Sequence, residues 1–274
     1  MFPLLKSYPV RNGGVFIITM KENKNKIIQG DCLEEMKKME ENSIDLTVTS
    51  PPYDNLRDYN GYDFDFEGIA KELYRVTKQG GVVVWVVGDA TIKGSETGTS
   101  FKQALFFKEC GFNLHDTMIW QKDTFTAVGA LNVRYAPVFE YMFIFSKGKP
   151  KTFNPIKDRR NITAGLKQHG TIRKHDNTTV KMSTHGNIVR EFGQRHNVWK
   201  MPGEKRRNIS SHPAMFPEKL AEDHILSWSN EGDTILDPMS GSGTTLKMAK
   251  KNNRNYIGIE ISQEYVNIIK QRLK

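Results

Sequence analysis

The chain has 274 residues, 38% hydrophobic and 26% charged, a balance that suits a folded globular protein and excludes low-complexity and collagen-like chains. No apolar run reaches the roughly 18 residues that a membrane span needs. The formal charge of +9 is unevenly placed: residues 147–211 hold 16 Lys/Arg against 4 Asp/Glu, and the remainder holds 24 against 27.

The opening "MFPLLKSYPVRNGGVFIITM" is mildly apolar but broken by Pro and Gly, and it lacks the apolar region and small-residue cleavage site of a leader. It reads as an N-terminal extension over 1–25, with Met20 as an alternative start. "KIIQG" (26–30) predicts a strand, and "CLEEMKKM" (32–39) a helix with Leu33, Met36 and Met39 on one stripe. "IDLTVTS", ending at Ser50, has the near-continuous apolar character of a strand covered on both faces. A polar loop follows to about Asp65, then a helix from about Phe66 to Thr77 that stops before Gly80-Gly81. "VVVWVVG" (82–88) predicts a buried strand, followed by a helix near 100–109 and strands over 114–120 and 138–146.

Over 147–211 the periodicity disappears into a stretch rich in Lys, Arg, Asn, Thr, Gly and His, with isolated aromatics at Phe153, Phe192 and Trp199. A charge run can be a plain solvated face, but an excess confined to one segment points to a polyanion-binding surface. Order returns with a helix introduced by Pro217, a strand "TILDP", a helix starting in "GSGTTLKMAKK", a strand "NYIGIEI" and a helix from Gln263. The alternation predicts a doubly wound α/β sheet interrupted by one basic insertion. Cys32 and Cys110 match neither metal-ligand nor disulfide spacing, which fits a reducing, cytoplasmic setting with no membrane partner.

"ILDPMSGSGTTLKMA" (235–249) places Gly241 and Gly243 in a tight strand-to-helix turn, where backbone can approach a ligand closely. Glu260 ends the next strand, 19 residues after Gly241, where a carboxylate commonly accepts from ribose hydroxyls. No Gly-Lys-Ser/Thr follows the turn, so it is not a P-loop. Asp237 would repel a pyrophosphate but can accept from an ammonium group. A nucleoside with a cationic tail meets these terms, and S-adenosylmethionine fits.

"TSPPY" (49–53) resembles the catalytic motif of the amino-group (N4-cytosine/N6-adenine) DNA methyltransferases, and "DPMSGSGTT" their cofactor motif. "HPAMFPEKL" (212–220) is similar to the segment that precedes that motif, and "GDCLEEM" (30–36) to the first motif of the β-type order. The resemblance runs from about Lys26 to Lys274 and implies a permuted Rossmann-like sheet over 26–146 and 212–274. The basic insertion, 147–211, falls where that family keeps its target-recognition region. By resemblance, Asp31 meets the cofactor's adenine beside Cys32, and His212, Pro213 and Phe216 line its pocket. Asp237 meets the methionine amine, with Pro238 and Met239 in the same turn. Thr244 and Thr245 meet the carboxylate, and Glu260 the ribose.

An exocyclic amine is a poor nucleophile because its lone pair is delocalised into the ring. The Pro51-Pro52 pair fixes the backbone so that a main-chain carbonyl, that of Pro51, accepts one amino hydrogen while Ser50 accepts the other. Tyr53 offers a face on which a base flipped from double-stranded DNA can stack. Asp54, Asn55 and Arg57 read equally as target contacts or as a solvated loop.

Cytosine C5 chemistry requires a cysteine nucleophile, usually after a proline, whereas Cys32 follows Asp31 and Cys110 follows Glu109. Protein glutamine methyltransferases carry a similar elbow, but with the cofactor motif ahead of it. RNA as substrate and a catalytically silent DNA binder stay open, as do a homodimer and a cognate restriction endonuclease. Ser at the first elbow position favours N4 of cytosine over N6 of adenine without excluding the latter.

Overall fold

The computed structural model describes residues 24–52, 64–123, 132–203 and 216–274. Its main sheet has eight strands among the described residues, in the order β1 (Lys26–Gln29), β14 (Asn255–Glu260), β13 (Thr234–Asp237), β2 (Ile44–Thr49), β3 (Thr77–Val87), β7 (Phe139–Ser146), β6 (Asn113–Gln121) and β12 (Val198–Lys200). Only β7 runs against its neighbours, β3 and β6; the other pairings are parallel. The doubly wound α/β sheet expected from the alternation of elements is therefore present.

Strand β3 shows why the sheet is covered on both sides. Val83, Trp85 and Val87 join one buried cluster, and the alternate residues Val82, Val84 and Val86 join the other. The first cluster receives helices α1 (Cys32–Lys37), α2 (Phe66–Val76) and α3 (Thr99–Glu109) through Met36, Leu73 and Phe107. The second receives α4 (Glu218–Trp228) and α5 (Thr244–Lys251) through Leu220, Ile225 and Met248. Helix α6 (Gln263–Arg272) packs Ile269 against Leu246 and Ile27. Caps set the starts of three helices: Asp31 accepts from Glu34 N, Asp65 from Gly68 N and Ser262 from Tyr265 N.

Two boundaries depart from the sequence reading. Strand β3 begins at Thr77 rather than 82, because Gly80, at φ +80°, lets the chain bulge between the Ile44–Thr77 and Leu46–Val82 pairs. At the far edge, β12 lies within 147–211 yet pairs with β6, and its Trp199 is buried against the ring of His224 at 4.5 Å. Burial pushes His224 down to about 3, so it is a neutral core residue.

The rest of the described chain between β7 and β12 is built from short pairs. Strands β8 (Arg159–Arg160) and β11 (Phe192–Gly193) form a stem, and β9 (Thr171–Arg173) with β10 (Thr179–Lys181) forms an outer hairpin. A small hairpin of β4 (Thr91–Ile92) and β5 (Ser95–Glu96) follows β3. Among the described residues, no helix is long and apolar enough to cross a membrane.

Candidate active site at the carboxyl edge of the sheet

The order of strands along the chain reverses between β2 and β13, which are parallel neighbours, so their carboxyl ends flank the switch point of the sheet. Strand β2 delivers Thr49 and then Ser50-Pro51-Pro52, with Pro51 buried and Ser50 and Pro52 partly so. Strand β13 delivers Asp237, 2% exposed, followed by buried Pro238 and half-buried Met239. The elbow and the glycine turn thus share one edge, as expected from the order of motifs.

One bond joins the two halves directly. The Thr49 hydroxyl donates to Asp237 Oδ1 at 2.8 Å, and the Met239 amide donates to the same oxygen at 3.3 Å. Behind it, the Thr245 hydroxyl donates to the Val48 carbonyl at 3.0 Å, fastening α5 to the catalytic strand. Burial pushes the Asp237 carboxyl up to about 7, against the lowering effect of these hydrogen bonds, and the charge of Glu260 adds to the rise. A buried carboxyl so poised is suited to receive a cationic group, which would restore its ionised form.

The glycine turn has the backbone that its composition implies. Gly241 and Gly243 both have positive φ, +49° and +81°, and a Cβ on Gly243 would press on Ile269 at 3.0 Å. Below the turn, Glu260 Oε2 accepts from the Gly241 amide at 2.7 Å and Oε1 accepts from Ser262 N at 2.9 Å. Burial raises the Glu260 carboxyl from its usual range, opposed by those amides. Each carboxylate oxygen keeps a second lone pair for a hydroxyl. The neighbouring strand brings Asp31 to the same corner, since Gln29 pairs with Glu260 and the Gly30 amide donates to the Glu260 carbonyl. The donor set therefore fits S-adenosylmethionine: a buried acid for its amine, a close-approach turn, and acids at two adjoining strand ends.

Cys32 begins α1 beside Asp31. Burial, helped by the Asp31 charge, pushes its thiol up to about 12, so it is no nucleophile near neutral pH. Cys110 lies just before β6, whose start is at the opposite edge of the sheet from the elbow. Phe216 packs against the core ahead of α4. Tyr53, His212 and Pro213 lie outside the described residues, as do Asp54, Asn55 and Arg57.

Two residues of this site escape sequence reasoning. Thr49 has no motif signal of its own, because its partner stands 188 positions away. Arg272, in the last turn of α6, donates to the Ser242 carbonyl at 2.8 Å and hydroxyl at 2.9 Å, and pairs with Glu218 at 2.7 Å. It braces the glycine turn from beneath, and only the final fold brings the C-terminal helix there. Thr244, 6% exposed, starts α5 within 3.4 Å of the same guanidinium.

Comparison with known proteins places this geometry. The family model described as DNA methylase, for N6 and N4 enzymes, matches residues 44–271. The orphan methyltransferase M.BamHII of Bacillus amyloliquefaciens is 58% identical over 262 residues, covering 93% of this chain and 92% of that protein. The type II methyltransferase M.HpaI of Haemophilus parainfluenzae is 30% identical over 259 residues, covering 90% and 74%. Among solved structures, the Thermus thermophilus DNA modification methylase TTHA0409 complexed with S-adenosyl-L-methionine aligns with TM-score 0.62 at 26% identity, covering 91% and 93%. The PvuII DNA methyltransferase, titled cytosine-N4-specific, shares the fold with TM-score 0.67 at 22% identity, covering 92% and 86%.

Proposed function

We propose that this chain, which belongs to the DNA methylase family and is an S-adenosylmethionine-dependent DNA methyltransferase, methylates N4 of cytosine in preference to N6 of adenine. The observation that carries the site assignment is the junction of the two strand ends, where the Thr49–Asp237 bond sets the elbow directly beside the cofactor turn. The bound cofactor supplies an electrophilic methyl on a sulfonium. The chain's own residues do the rest.

Asp237 holds the amine of the cofactor, the backbone amides at the start of α5 and Thr244 face its carboxylate, and Glu260 and Asp31 hold the nucleoside. Thr245 acts one step back, by keeping α5 on β2. Ser50 and the Pro51 carbonyl accept the two amino hydrogens of the target base, drawing its nitrogen toward a tetrahedral shape with the lone pair free. Tyr53 stacks on the flipped base. Catalysis in this scheme is positioning and electrostatics, with no covalent intermediate on the protein. The preference for cytosine rests on Ser50, a neutral acceptor where a carboxylate would bind an amino group more strongly. The name of the 58%-identical relative as an orphan methyltransferase supports an enzyme that works without a dedicated endonuclease.

Mass spectrometry of nucleosides from DNA treated with the protein and S-adenosylmethionine tests the reading. N4-methylcytosine is expected; N6-methyladenine would overturn the role given to the first elbow residue. Ser50→Ala should lower turnover about 10- to 100-fold, the worth of one hydrogen bond in a charged transition state, with cofactor affinity unchanged.

A further inference from the structure

Between the stem β8–β11 and the tip of β9–β10, residues 160–192 form one antiparallel arm. Its rungs are the Gly165–Val189 and Gln168–Asn187 backbone bonds, the Lys167–Ile188 bridge, the Gly170–Met182 bond and the paired residues of β9 and β10. Among the described residues, the hydrogen bonds along this arm stay within it, and all positions from Thr171 to Thr184 are exposed. The arm carries six Lys/Arg against two Asp/Glu. Its root is held to the body by Arg195, which bonds Asp158 and donates to the buried Asp223 at 2.6 Å while lying over Trp199.

Register sorts the outer hairpin into two faces. Thr171 opposes Lys181 and Arg173 opposes Thr179, so these four side chains share one face. Ile172 and Val180 oppose each other on the other face, where they are 51% and 38% exposed. A lone two-stranded hairpin is marginal in water, and neither face of this one is covered by the described residues of its own chain. Its composition names the partner: one Arg, one Lys and two Thr on a ribbon two strands wide, in an arm of strong positive charge. B-DNA's major groove, about 12 Å wide, admits a two-stranded ribbon, and Arg and Lys to guanine with Thr to the thymine methyl are contacts that read base edges.

We infer that the β9–β10 ribbon enters the major groove of the target duplex with Thr171, Arg173, Thr179 and Lys181 toward the base edges, and that Arg173 reads a guanine there. This rests on the reading of the chain as a DNA methyltransferase. Arg173 is central on that face, one position before the turn that opens at Lys174, and its planar fork makes the paired contact that a lysine cannot. Lys174, Arg190 and Lys167 lie off that face or nearer the root and serve the phosphates, which position the arm without reading sequence.

The test is sequence-resolved methylation of a duplex library with randomised positions, by the whole chain and its variants. In R173A, methylation of the preferred sequence should fall about 5- to 150-fold, with discrimination relaxed at a single base-pair position. R173K should relax the same position, since it keeps the charge and loses the fork. R190A should weaken methylation evenly across sequences and reduce the salt dependence by about one phosphate contact. Calorimetric binding of S-adenosylmethionine should match the unaltered chain in all three. An even loss across sequences in R173A, or intact discrimination, would overturn the ribbon reading alone. Failure of the unaltered chain to methylate any duplex would overturn the enzyme reading and this one with it.

Discussion

The carboxyl edge of the sheet and the basic arm are built on opposite terms. At the edge, Asp237 is fully enclosed and tied to Thr49 and Met239, while Thr245 and Arg272 fix the surrounding turn. In the arm, the bonds are local and the side chains face water. Chemistry at a reacting amine tolerates little displacement, so its groups are held by packing from several elements. A surface that reads a sequence needs only a rigid enough ladder and side chains left unengaged. The division predicts that damage at the edge harms every function, and that damage in the arm harms recognition alone.

The largest break in that contrast should come at Asp237. Asp237→Ala is expected to weaken S-adenosylmethionine binding on the order of 100-fold or more, read by calorimetry. In the unaltered chain, binding should tighten as pH rises through about 7, where burial places the Asp237 carboxyl. A raised carboxyl contributes stability that is present below its unfolded value near 4 and lost as pH rises through the folded one. Asp237→Asn removes that loss, so the cofactor-free variant should melt higher than the parent at pH 8 and bind the cofactor poorly with no rise across pH 7. Equal melting of the two from pH 5 to 8 would show that the buried acid carries no such cost.

Thr49 sharpens the same point with a smaller effect. Thr49→Val removes one donor to the Asp237 carboxyl and leaves a side chain of similar shape. Cofactor affinity near pH 7 should fall about 10-fold, and the pH midpoint for binding should move upward, because the hydroxyl favours the ionised form. Thr49→Ser should restore both. A fall in affinity with the midpoint unmoved would mean that Thr49 only fills space.

What the sequence made legible follows from how far each signal reaches along the chain. "VVVWVV" and "IDLTVT" are buried on both faces, so their apolar runs mark strands wherever they are placed. Gly241 and Gly243 announce their turn because no other residue takes positive φ at so little strain. The β2–β13 junction was legible through the resemblance, which set the order of the two motifs. The Thr49–Asp237 bond, the Arg272 brace and the docking of β12 were not, since each joins residues far apart whose types are ordinary. The bulge at Gly80 hid inside what reads as a helix stop, for glycine serves both ends equally. In the arm, polar strands with both faces exposed leave no periodicity to find.

The smallest expected effect is also the most direct test of the division between edge and arm. Arg160 and Phe192 are register partners across the stem, so their backbones lie about 5 Å apart, as paired strands do. Replacing residues 161–191 by a short Gly-Ser turn can therefore close without moving the root, where Arg195 still bonds Asp158 and Asp223. The deletion removes no residue of either main core cluster. Its melting temperature should stay within about 2 °C of the parent, since changes at exposed sites shift stability by about 0.5 kcal/mol or less, and cofactor affinity should be unchanged. Methylation of duplex DNA should fall to the level of nonspecific encounter. A large drop in melting temperature would show that the arm supports the fold it springs from, and the two regions would then be one unit.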